Sequence, residues 1–196
     1  MDEREFDELA ADLPGLARVG KFVRSLGGIP WFANLGEELT PGAHAAARAF
    51  ADGLGFPYAE VAVLPEWEDA AAAAENLDWN TPGWDAEESL RADVTVRAAE
   101  VLSEDALRFA IAASADIVST AAKTAIQEAA SLSDLADDAM KDLAVGAAVQ
   151  AAHEALLAIV ATGESDDEPH VFLAKFQLFE FGRWPIGIAG QTLNLF

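Results

Sequence analysis

The chain has 196 residues and 52% hydrophobic content, which is enough for one domain over residues 1–196 with a sizeable core. Its formal net charge of −22 disfavours nucleic acid and anionic membrane surfaces as partners, because both attract Lys and Arg. The lack of cysteine excludes disulfides, thiolate metal sites and cysteine nucleophiles.

The first half of the chain predicts helices separated by glycine and proline. Residues 2–13 are predicted to form a short acidic helix, and residues 16–26 an amphipathic helix. A Thr-Pro pair begins a third helix over residues 40–52, since threonine caps a helix and proline suits its first position. Residues 56–64 fit either a short strand or a helical turn. A further proline begins an acidic, alanine-rich helix over residues 65–77.

The second half of the chain predicts longer helices. Residues 79–84 have the sequence WNTPGW and are expected to form a loop rich in turns. Asp85 is predicted to cap a helix that ends near residue 102. Two long helices follow over residues 104–130 and 132–161, each with an apolar stripe at spacings of three and four. A last helix is predicted over residues 169–181.

The C-terminal segment, residues 168–196, differs in composition from the rest of the chain. Residues 1–168 carry 33 acidic and 10 basic side chains, whereas residues 169–196 carry one acidic and two basic side chains. The segment also contains six aromatic residues: Phe172, Phe176, Phe179, Phe181, Trp184 and Phe196. It ends in two short β-like runs around Gly190, which predict a hairpin. Because water disfavours such an apolar segment, we expect it to pack on the helices; a detachable partner-binding or dimer-forming element is the alternative.

These elements predict a mainly all-α fold. We expect a bundle of about six to eight helices, with an antiparallel pair over residues 104–130 and 132–161 at its centre and a short C-terminal β-hairpin. The N-terminus lacks the apolar run of a secretory signal, and no stretch reaches the ~18 uncharged apolar residues of a membrane span. The sequence therefore predicts a soluble, cytoplasmic protein.

Three aspartates form a candidate metal site. Asp134, Asp138 and Asp142 share one face of the predicted helix, and divalent cations such as Mg²⁺ prefer several oxygen ligands. Magnesium-dependent diphosphate chemistry would need a second carboxylate cluster across a cavity. The candidates for that cluster are Asp85, Glu87 and Glu88, or Glu100, Glu104 and Asp105. The alternative is a solvated helix face whose first turn complements the helix dipole.

Tryptophans and a basic stripe are the candidate binding residues. Tryptophan is common at binding surfaces because it joins a large apolar body to a polar N–H group. Trp79, Trp84 and Trp184 lie in or beside predicted loops, where they either bind a partner or cover the ends of the bundle. Arg18, Lys21 and Arg24 form a basic stripe. It is a candidate anion site, or else pairs with the acidic helices.

Three functions remain open from the sequence. The first is a non-enzymatic interaction module, of an inhibitor or immunity type, that binds a basic protein partner. The second is a divalent-metal-dependent enzyme acting on a phosphate or diphosphate, although the sequence has no nucleophile motif, phosphate loop or other predicted catalytic residue. The third is a homo-oligomer assembled through the aromatic C-terminus. A pocket with carboxylates from two helices would favour an enzyme, and a flat acidic surface would favour the interaction module.

Overall fold

The structure is a computed structural model that describes residues 14–75, 81–132, 137–162 and 170–196. This part of the chain is 71% helical and forms seven α-helices with a small three-stranded sheet. The helices are α1 Pro14–Ser25, α2 Pro41–Gly53, α3 Trp67–Glu75, α4 Pro82–Val101, α5 Glu104–Leu132, α6 Asp138–Ala161 and α7 Val171–Glu180. The strands are β1 Glu60–Val63, β2 Pro185–Ala189 and β3 Thr192–Leu195. The predicted multi-helix fold is confirmed, whereas the helix predicted over residues 2–13 lies outside the described residues.

Helix α6 lies at the centre of the bundle and packs against α1, α4, α5 and α7. Its side chains are buried on several sides between Ala144 and Val160, and many of them are alanines, which occupy little space between helices. The second half of this helix is therefore buried over a wider surface than the single apolar stripe that was predicted. At its other end, Leu143 belongs to the predicted stripe but is 45% exposed.

Helices α2 and α4 begin in the same way. The side chain of Thr40 accepts a hydrogen bond from the N–H of Ala43, and the side chain of Thr81 accepts one from the N–H of Trp84. A proline follows each threonine at the first helical position. The prediction that Asp85 caps α4 is therefore wrong: the helix starts one turn earlier, at the repeated Thr-Pro-Gly sequence.

The C-terminal hairpin belongs to a sheet with strand order β1-β3-β2. Strand β2 pairs with β3 in antiparallel orientation, as the predicted hairpin requires, and the tight turn contains Gly190 at φ 61°. Strand β1 adds to the other edge of β3 in parallel orientation, with Val61 opposite Leu193. The ambiguous segment 56–64 therefore contains a strand, which is stabilised by a partner more than 120 residues away in sequence.

Five of the six aromatic residues of the C-terminal segment lie in the core of the described structure, and Phe181 is half-buried. Phe172, Phe179, Trp184 and Phe196 are all buried. The ring of Phe196 packs edge-on against Trp67, with the ring centroids 4.7 Å apart. Helix α7 packs between α2 and α6, so its apolar faces are covered from two sides.

Two of the described helices are long and apolar enough to span a membrane by length and composition. In α5, 28% of the apolar window is buried, and in α6 61% is buried. The core helix of a soluble protein meets the same criteria of length and composition, so these helices are weak evidence for a membrane. The described structure is compatible with a soluble protein.

Candidate functional site

A pocket of about 390 Å³ opens between strand β2 and helices α2, α4, α6 and α7. Its inner wall contains the buried side chains of Phe50 and Trp184. At its mouth lie Trp84 and Leu143, which are 38% and 45% exposed. A mostly apolar pocket with a few polar groups is the usual form of a small-molecule site.

Two glycines set the shape of the pocket. A Cβ atom added to Gly83 would lie 3.1 Å from Cβ of Ile188, so the first turn of α4 lies directly against β2. This contact holds Trp84 and Glu87 at the pocket wall. Gly146 of α6 also lines the pocket, and a Cβ added there would have no neighbour within 4 Å. The missing side chain at Gly146 therefore leaves space inside the pocket.

A buried ammonium group lies at the polar end of the pocket. Lys175 of α7 is only 7% exposed, and its Nζ donates hydrogen bonds to Oε1 of Glu87 at 2.5 Å and to Oε2 of Glu154 at 2.8 Å. The same Nζ lies 5.9 Å from the centroid of the Phe50 ring. Lys175 thus joins three helices, because Glu87 belongs to α4 and Glu154 to α6.

A guanidinium group completes this arrangement from the side of α4. Arg91 donates to Oε1 of Glu154 from Nε at 2.8 Å and from Nη2 at 2.6 Å. Arg91 also contacts Glu87 at 3.2 Å and pairs with Glu88. Lys175, Glu87, Glu154 and Arg91 are called the charged cluster below. Its two positive and two negative charges balance.

Glu154 is completely buried but has four donors. In addition to Lys175 and both Arg91 contacts, Nε2 of Gln150 donates to its Oε1 at 3.1 Å. A buried carboxylate with this many donors is electrostatically satisfied and holds the helices together. Glu87 is different, because its described hydrogen bonds fall on Oε1 alone. Among the described residues, no donor bonds to its Oε2 atom.

The electrostatic environment favours the charged forms of Glu154 and Lys175. Burial would raise the pKa of Glu154, but the neighbouring Lys175 and Arg91 cations lower it below its usual value. Burial would likewise lower the pKa of Lys175, but the carboxylates of Glu154 and Glu87 raise it above its usual value. Lys175 is therefore held as an ammonium and is not a neutral amine nucleophile.

The structure describes two of the three residues of the predicted aspartate site. Asp134 lies outside the described residues, so the three-aspartate site stays a prediction. Asp138 is exposed at the start of α6, where Lys141 lies 2.7 Å away and lowers its pKa. Asp142 lines the pocket, as does Glu87 from the predicted second cluster. Within the described ranges, no group of three His, Cys, Asp or Glu side chains could hold a metal ion.

Two of the three predicted partner-binding tryptophans, and all three residues of the basic stripe, lie in the described part of the chain. Trp84 and Trp184 line the same pocket, at the mouth and at the inner wall, whereas Trp79 lies outside the described residues. In the basic stripe, Arg18 donates to the carbonyl of Thr162 at 2.8 Å. Lys21 and Arg24 of the stripe are exposed.

The sequence prediction missed the charged cluster. A signal was present: Glu154 is the one Asp, Glu, Lys or Arg residue in the apolar stretch AAVQAAHEALLAIV, and Lys175 is the one in VFLAKFQLF. An isolated charge in such a helix needs a buried partner. Which residues pair depends on how α4, α6 and α7 pack, and the periodicity of each helix does not contain that information.

Comparisons of this chain with protein-family models, with curated proteins and with solved structures found no match.

Proposed function

We propose that this protein binds a small, mainly apolar molecule in the pocket between α4, α6, α7 and β2. The observation that supports this most directly is the form of the pocket. It joins an exposed apolar mouth, at Trp84 and Leu143, to a buried polar end at Lys175 and Glu87. Its volume of about 390 Å³ is within the usual range for small-molecule sites. We place the protein in the cytoplasm as part of this proposal.

Filling the pocket tests this proposal. The substitution Gly146→Leu puts an apolar side chain into the pocket, at a helical position where an added Cβ has no close neighbour. The neutral fluorescent probe N-phenyl-1-naphthylamine should bind the unmodified protein with one site per chain, measured by fluorescence titration. We expect Gly146→Leu to weaken this binding at least tenfold.

The matched control is Ala112→Leu, which adds a similar side chain to an exposed position of α5 outside the pocket. This variant should bind the probe as the unmodified protein does. Circular dichroism must show that both variants keep the same helix content. Equal probe binding by Gly146→Leu and the unmodified protein would contradict the proposal.

A basic protein partner is the second candidate function. It is favoured by the net charge of −22 and by Trp84 and Leu143, two large apolar side chains exposed near Asp142 at the mouth of the pocket. A pull-down from the native host at low and at 0.5 M salt should then recover one basic protein only at low salt. Trp84→Ala should lose that protein, whereas Tyr58→Ala, which removes another exposed aromatic side chain, should retain it.

A further inference from the structure

We infer that the ligand of the pocket is an organic amine, with a protonated nitrogen and an apolar body. This inference rests on the proposed binding function and adds the chemical class of the ligand. It comes from the charges and hydrogen-bond acceptors of the residues that line the pocket.

The residues around the pocket carry a net negative charge. The charged cluster is neutral as a group, and Asp142 adds a further carboxylate to the pocket lining. The N-terminus of α4 also faces the pocket and carries a partial positive charge of about half a unit, but Asp85 in its first turn offsets it. The whole chain carries −22, so the long-range field also attracts cations.

Glu87 offers a hydrogen-bond acceptor for the protonated nitrogen of the ligand. Glu87 is partly buried, and its Oε2 atom accepts no hydrogen bond from a described residue. A hydrogen bond from an ammonium group to a carboxylate is among the stronger hydrogen bonds in proteins. Lys175 already uses Oε1 of the same carboxylate, so Glu87 would hold two ammonium groups, one from the chain and one from the ligand.

The aromatic walls suit the same class of ligand. Trp84 at the mouth, with Trp184 and Phe50 further in, presents ring surfaces that bind either an apolar body or a cation. A carboxylate ligand would instead lie beside Glu87 and Asp142. It would also have to separate Lys175 from two carboxylates that are 2.5 and 2.8 Å from its Nζ.

Three probes of similar size and different charge test this inference. They are 2-phenylethylamine, 2-phenylethanol and 3-phenylpropanoate, each titrated into the full chain by calorimetry at pH 7. We expect the amine to bind at least tenfold more tightly than the alcohol and the carboxylate. Glu87→Gln keeps the shape of the side chain but removes its charge, and should remove that preference, measured as the ratio of amine to alcohol affinity within the variant.

The control for this experiment is Glu88→Gln, a neighbouring glutamate that also pairs with Arg91 but does not line the pocket. It should keep the preference for the amine. Equal or tighter binding of the alcohol, or tightest binding of the carboxylate, would overturn the amine inference and leave the proposed pocket function intact. Binding by none of the three probes would overturn the inference, and unchanged naphthylamine binding by Gly146→Leu would separately overturn the pocket function.

Discussion

At the scale of single residues, the buried charges of α6 and α7 are the most informative feature. Lys175 and Glu154 lie in apolar stretches of their helices, and each is buried with partners on other helices. A buried ion pair is not by itself a large gain in stability, because both ions lose their hydration. The loss of one partner is costly, however, because it leaves an uncompensated charge in the core.

We therefore expect Lys175→Met to destabilise the protein by about 3–5 kcal/mol, because Glu154 and Glu87 lose a shared donor. The matched control is Lys123→Met on α5, where the lysine is exposed and the change should be within about 0.5 kcal/mol. Urea unfolding measures both changes. A similar, small effect of the two substitutions would show that the charged cluster does not hold the helices.

Two partly buried histidines predict a loss of stability in mild acid. Burial lowers the pKa of both His153 and His170 below the usual value of 6.5, so the unfolded chain binds protons more readily than the folded chain. The free energy of unfolding should therefore fall as the pH drops from about 6.5 through the lower pKa values of the folded state.

The double variant His153→Asn and His170→Asn tests this pH dependence. Asparagine keeps a good helix cap at position 170, where the histidine accepts a hydrogen bond from the N–H of Phe172. Urea unfolding between pH 7 and pH 5 should show a smaller loss of stability for the double variant than for the unmodified protein. The same slope in both proteins would contradict the assigned role of the histidines.

At the scale of secondary-structure elements, glycines mark where helices touch and where they leave space. A Cβ added to Gly53, the last residue of α2, would lie 2.8 Å from Cγ2 of Val171, the first residue of α7. The same addition at Gly146 of α6 would meet nothing within 4 Å. The first glycine permits a close helix contact, whereas the second lines the pocket.

These two glycines predict opposite effects of the same substitution. Gly53→Ala should destabilise the protein by about 1–3 kcal/mol, because Val171 must move. Gly146→Ala should stabilise it by about 0.5–1 kcal/mol, because alanine favours a helix and finds free space there. Thermal unfolding distinguishes the two outcomes, and a gain in stability for both variants would contradict the close contact between α2 and α7.

At the scale of the whole molecule, the C-terminal segment completes the core of the part of the chain that the structure describes. Trp31 packs against Phe176, and Phe32 packs edge-on against Trp184. Strand β3 lies between β1 and β2, so the sheet has no central strand without this segment. Its aromatic side chains each bury about 150–250 Å², and their combined contribution of several kcal/mol is comparable with the stability of a domain.

Deletion of residues 169–196 should therefore unfold or aggregate the protein. The expected result is loss of the cooperative thermal transition and of most of the helical circular dichroism signal. The prediction would be wrong if the truncated chain stayed soluble, kept its helix content and melted near the temperature of the full chain. That result would support a detachable segment for binding or self-association.

The sequence by itself determined the described helices and the C-terminal hairpin, because caps, periodicity and turn residues are local properties. Thr40-Pro41 marks the start of α2, and the same local signature at Thr81-Pro82, rather than Asp85, marks the start of α4. The C-terminal aromatic residues indicated a segment whose apolar side chains must be buried. Tertiary structure alone decided the rest, because strand β1 depends on a distant partner and Lys175 depends on carboxylates from two other helices. The pocket could not be predicted from the sequence either, because the space between α4, α6, α7 and β2 depends on how these elements pack.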